Sequence, residues 1–185
     1  MSKSAILLTL TVSIALAACG GTDEAAALDA PSADWESLMT SAWTAEAGAE
    51  TNVCTRWTVA EDITFGAIQV VSPPQTRLIL LTLGAPDGPD GVSECAPLDG
   101  HETLLYAAGP TSEPFILPDR VGMHVPAGSQ LLLNIQVANP EPDEQPGSVN
   151  VYVKPVDGDR ITANAEAVLM DHAPGSVPSL CTMGH

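Results

Sequence analysis

The chain has 185 residues, 45% of them hydrophobic and only 4% aromatic, and six Lys or Arg face 23 Asp or Glu for a formal charge of −17. So acidic a surface repels polyanions, which excludes nucleic acid as a partner and makes anionic lipid head groups poor ones. The same acidity keeps an exported chain soluble.

In chain order, Met1-Ser-Lys3 supplies a short positive head, and Ala5 to Ala18 an apolar run too short to cross a bilayer. Small residues follow before Cys19, so residues 1–18 read as a secretory signal rather than a membrane helix. Leu16-Ala-Ala-Cys19 resembles the cleavage box of bacterial lipoproteins, which implies a lipid on Cys19 and an acylated new terminus. More than one acyl chain anchors firmly, so the expected location is the bacterial cell envelope, periplasmic or outer surface, with the membrane as partner through the lipid. Residues 19–50, small and acidic at first, read as a flexible tether. Trp35, Leu38, Met39 and Trp43 stand at helical spacing, which predicts an amphipathic turn or two within 33–47.

Residues 51–170 have the size of one domain, and 171–185 form a tail. Strands are predicted at 53–59, 63–71, 78–84, 103–108, 121–125, 130–138, 148–155 and 160–170. Pro, Gly and Asp punctuate them, as in Ser72-Pro-Pro, Asp87-Gly-Pro-Asp-Gly91 and Pro126-Ala-Gly128. Short, evenly spaced strands predict an all-β antiparallel β-sandwich or jelly roll. Leu131 to Ala138 is apolar on both parities and should be central, whereas Val149 to Lys154 alternates and should have one wet face. The final segment contains helix-favouring Ala, Glu, Leu and Met, but the β context argues for strand. Met123 is expected in the core, His124 at the rim and His101 in a turn.

Once Cys19 is lipidated, Cys54, Cys95 and Cys181 remain. An exported chain tolerates disulfides, and three thiols permit one bridge in any of three pairings. Cys54–Cys95 is the preferred one, because both lie within the domain while Cys181 lies in the tail.

Four stretches carry a resemblance: Cys54-Thr-Arg-Trp, Pro73-Pro-Gln-Thr-Arg77-Leu78, Glu113-Pro-Phe-Ile-Leu-Pro118, and Leu131-Leu-Leu-Asn-Ile-Gln136-Val-Ala-Asn139-Pro140. In order and spacing they are similar to the N-terminal domain of the copper type II, ascorbate-dependent monooxygenases, the peptidylglycine α-hydroxylating and dopamine β-monooxygenase family. In that family a His-His pair and a third His hold one copper. The resemblance places those ligands at Arg77, Leu78 and Gln136, none of which is an imidazole. A guanidinium has no usable lone pair and stays positive, so the site is expected to hold no copper. Arg77 is expected to pair with a carboxylate or to hydrogen-bond Gln136, in preference to binding an anion.

The family's second domain, with the oxygen-activating copper, is expected to be missing from this chain. Met170-Asp-His172 and Cys181-Thr-Met183-Gly-His185 contain soft donors, but a terminal tail is the better account of them. The expected function is therefore an envelope-anchored binding or interaction module with a protein or small-molecule partner, no cofactor and no catalytic residues. The alternative is a copper-dependent monooxygenase working with a separate C-terminal domain.

Overall fold

Alternation, not helical spacing, governs the segment ahead of residue 50. The computed structural model describes residues 31–95 and 103–166, and there Glu36–Ala45 is a strand, β1. Met39, Ser41, Trp43 and Ala45 turn inward and the residues between them outward. A buried serine disguises that two-residue period in the sequence. Ser41 is tolerated inside because its Oγ accepts a 2.6 Å hydrogen bond from Thr55 Oγ1 on the opposite sheet. The expected tether and helical turns over 36–45 are thus corrected: these residues belong to the sandwich.

The other strands are β2 (Glu50–Thr58), β3 (Ile63–Val71), β4 (Thr76–Gly84), β5 (Gly91–Glu94), β6 (Thr103–Ala108), β7 (Phe115–Ile116), β8 (Val121–Val125), β9 (Gln130–Ala138), β10 (Gln145–Pro155) and β11 (Ala163–Asn164). A six-stranded sheet runs β1-β10-β3-β8-β11, with β7 also paired to β3. A five-stranded sheet runs β5-β2-β9-β4-β6. All pairs are antiparallel except β8 with β11. This is the all-β antiparallel sandwich that the strand spacing predicts.

Between the sheets lies one core. Leu131, Leu133, Ile135 and Val137 of β9 and Ile79 and Leu81 of β4 face Phe65 and Ile68 of β3 and Val149 and Val151 of β10, all fully buried. Burial of such side chains contributes about 1.5–3 kcal/mol each. β9 is central, as expected, and its outward Gln130 and Asn134 are also buried. β10 buries Val149, Val151 and Val153 and leaves Asn150, Tyr152 and Lys154 partly wet. Met123 is in the core and His124 on the outside, its Nδ1 3.2 Å from Thr64 Oγ1.

Two details fix the end of the sandwich. Gly147 pairs with Trp43 across β10 and β1, and a Cβ at 147 would collide with the indole ring. Buried Asn139 donates through Nδ2 to the carbonyls of Ala45, Glu46 and Asp143, tying the β1 exit to the β9–β10 connection.

The expected strand over 160–170 is corrected. Gly158–Arg160 is a single 3-10 turn, and among the described residues from 160 to 166 only Ala163–Asn164 is strand. Asp157 caps the turn by accepting from the Asp159 N–H, and this local bond competes with extended pairing. β5 and β7 escape sequence reading because four and two residues are too few to show a period. Residues 167–170 and the 171–185 tail, with His172, Cys181 and His185, lie outside the described residues, as do the signal, Cys19 and His101.

Candidate functional site

The outer face of the five-stranded sheet receives the positions singled out by sequence. Leu78 of β4 stands opposite Gln136 of β9, which in turn pairs with Asn52 of β2. The register slips between Thr76 and Leu78, so Arg77 is the extra residue of a bulge beside that row. Arg77, Leu78 and Gln136 are therefore neighbours, and all three are exposed, Leu78 at 40%. The expected partner of Arg77 is not found: among the described residues the guanidinium makes neither an ion pair nor a hydrogen bond to Gln136. The two ion pairs there are Arg56–Asp87 and Lys154–Asp34. The bulge leaves Leu78, not Arg77, in registry with Gln136.

One strand-pair further along, the face is closed. Cys54 and Cys95 form a disulfide with a Cα–Cα distance of 5.5 Å, the preferred pairing of the three. Asn134 Nδ2 donates to both sulfurs, at 3.5 and 3.3 Å. Buried Gln130 continues the closure: its Nε2 donates to Thr58 Oγ1, the Gly88 carbonyl and Asp90, and its Oε1 accepts from the Asp87 N–H. Arg56 Nε donates to Asp87 at 2.9 Å. Nearly every polar group on this stretch is consumed by another.

The outer face of the six-stranded sheet differs. There a groove of about 660 Å³ opens between the Leu117–Val121 turn, β3 at Gly66 and Ala67, the end of β10, and the 3-10 turn. Ile116, Leu117, Pro118, Pro155, Val156 and Ile161 give it apolar walls. Arg120, Lys154 and Arg160 also line it, which is three of the six Lys and Arg in the whole sequence. Among the described residues neither Arg120 nor Arg160 is in an ion pair. Asp119 and Asp157 are the acidic lining residues, and Asp157 is occupied as the cap of the 3-10 turn.

The groove is held by backbone bonds. The Leu117 N–H donates to the Gly66 carbonyl at 2.9 Å, and the Val121 N–H to the Pro118 carbonyl at 3.0 Å, closing a turn with Arg120 at its third position. Arg120 has φ 65°, the one non-glycine among the described residues with positive φ. The Thr162 N–H donates to its carbonyl at 2.8 Å and holds it there. Lys154 pairs with Asp34 and lies 4.9 Å from the centre of the Trp35 ring. That ammonium, helped by the Ser32 hydroxyl, lowers the Asp34 carboxyl to about 2.

Sequence reasoning missed this groove, since its three cations are spread from 120 to 160 on three separate elements. The one available signal was the scarcity of cations, which makes any gathering of them notable.

Fold and surface together define an acidic antiparallel β-sandwich with a cation-lined groove among the described residues. No protein-family model matches the chain, and a search of the curated proteins finds no match either.

Proposed function

We propose that the protein is an exported, lipid-anchored binding module: a sandwich of the copper-monooxygenase kind that works at the cell envelope without copper or catalysis. The observation that supports this reading is the outward row on β4 and β9. The three positions that the resemblance gives to copper ligands are adjacent in register, and they present a guanidinium, an aliphatic chain and an amide. A fixed positive charge there repels a cupric ion, and neither neighbour offers an imidazole nitrogen.

The test is a copper titration of the purified domain, followed by calorimetry and EPR. The expected result is no stoichiometric type II signal, and such a signal would overturn the reading. The triple variant Arg77→His, Leu78→His, Gln136→His is expected to acquire copper affinity. If it binds none, the assignment of those positions fails. For the anchor, Cys19→Ser is expected to move the protein from the membrane to the soluble fraction, and unchanged membrane retention would remove that part.

A further inference from the structure

We infer that the groove between the Leu117–Val121 turn and the 3-10 turn binds small amphipathic oxyanions, a carboxylate or phosphate head on an apolar body. The inference deepens the binding-module reading and rests on it.

Charge is the first argument. In a chain of net charge −17, half of all Lys and Arg side chains line one depression. Arg56 is neutralised by Asp87 and, among the described residues, Arg77 stands alone on the other sheet, whereas the groove gathers two guanidinium groups in one place. Neither Arg120 nor Arg160 is in an ion pair among the described residues, so their donors remain free for a ligand. A guanidinium presents paired N–H donors that match two oxygens of a carboxylate or phosphate.

Backbone strain is the second. A left-handed conformation is natural for glycine and costs about 1–3 kcal/mol elsewhere. Arg120 adopts it at φ 65° while its side chain is exposed, so core packing does not account for the choice of arginine. Glycine or asparagine would make the same turn at lower cost. What arginine adds is the charge at the groove.

Shape is the third. About 660 Å³ falls within the range of small-molecule sites, and the apolar walls suit a short hydrocarbon rather than a bare ion. Lys154 stands at the β10 side, its ammonium held by Asp34 and beside the Trp35 ring.

The experiment follows calorimetry, with tryptophan fluorescence (Trp35, Trp43 and Trp57 together) beside it, on the chain of residues 20–185, Cys19 omitted, at pH 7 with three probes: octanoate, octyl phosphate and octanol. Both anions are expected to bind saturably below millimolar concentration, and octanol at least tenfold more weakly. If one anion binds and the other does not, the proposal stands with its head group named. Arg160→Gln and Arg120→Gly are each expected to weaken binding about tenfold, equivalent to about 1.4 kcal/mol. Arg77→Gln, an exposed arginine outside the groove, should leave it unchanged.

Arg120→Gly should also raise the melting temperature, because it relaxes the strained turn. If it lowers the melting temperature instead, the arginine serves the backbone, and Arg160→Gln alone decides. No saturable binding of either anion, equal binding of octanol, or an unchanged Arg120→Gly, Arg160→Gln double variant would overturn the proposal. The copper titration is independent: a copper signal with anion binding intact removes only the copper-free reading, and silence in both experiments removes only the groove.

Discussion

The outer faces of the two sheets handle polar groups in opposite ways. On the five-stranded sheet, Gln130, Asn134, Arg56, Asp87 and Asp90 are knitted to one another and to a disulfide. On the six-stranded sheet, Arg120 and Arg160 stand beside an apolar groove with no acidic partner among the described residues. A satisfied network contributes stability and has little left to offer a ligand, whereas unspent donors on a rigid frame are available for recognition. The contrast sets the knitted stretch around the disulfide, with Arg77, unpaired among the described residues, outside it, against the groove proposed to bind.

Breaking the closed face should therefore cost stability and spare the groove. The largest effect is expected from Cys54→Ala with Cys95→Ala. The bridge closes a loop with a sequence separation of 41, and chain-entropy reasoning gives about 4 kcal/mol for that length. Urea unfolding of the double variant against the oxidised parent measures it. A loss below about 1 kcal/mol would mean that the Asn134 and Gln130 network holds the face without the bridge. Next comes Gln130→Leu, which removes the donor to the Gly88 carbonyl and Asp90 and the acceptor for the Asp87 N–H. Leaving buried polar groups unpaired should cost about 2 kcal/mol. Octanoate affinity should be unaltered in both variants, and a parallel fall in affinity would erase the distinction between the faces.

How much of this was legible follows the same division. Strands β3, β6, β8 and β9 are where the alternation and the Pro/Gly punctuation put them, because their inward positions are uninterrupted hydrophobes. β1 hides its alternation in two ways: a register shift between Ser37 and Met39 buries adjacent Leu38 and Met39, and Ser41 occupies a core position with its partner Thr55 on the other sheet. No local pattern reveals a hydrogen bond across the sandwich. The Cys54–Cys95 pairing was open to inspection, since both cysteines lie within the domain. The row of Arg77, Leu78 and Gln136 came from resemblance, and its adjacency follows from the β4–β9 register. The groove was illegible because it exists only where a turn, a strand end and a 3-10 turn converge, and because composition fixes how many cations there are, not where they gather.

The smallest effect sharpens the comparison most, because Lys154 belongs to both regimes. It lines the groove, yet its ammonium is held by Asp34. Asp34 titrates at about 2 rather than its ordinary 3.8, chiefly through Lys154. A carboxyl with a depressed folded pKa contributes stability above its unfolded value and loses that contribution as pH falls through the folded one. The contact is thus intact from pH 3.8 upward and fades as pH drops towards 2, where tryptophan fluorescence should show a step, absent from Asp34→Asn, as Lys154 is released from beside Trp35. Asp34 is exposed, so solvent screening leaves its contribution to global stability slight. Its influence on the groove should be easier to see. With Asp34→Asn the ammonium is free to face a ligand, and octyl phosphate should bind a few-fold more tightly at neutral pH, with the acid-range fluorescence step abolished. If affinity is unchanged while the step disappears, Lys154 serves the Asp34 contact alone, and the recognising charge in the groove reduces to Arg120 and Arg160.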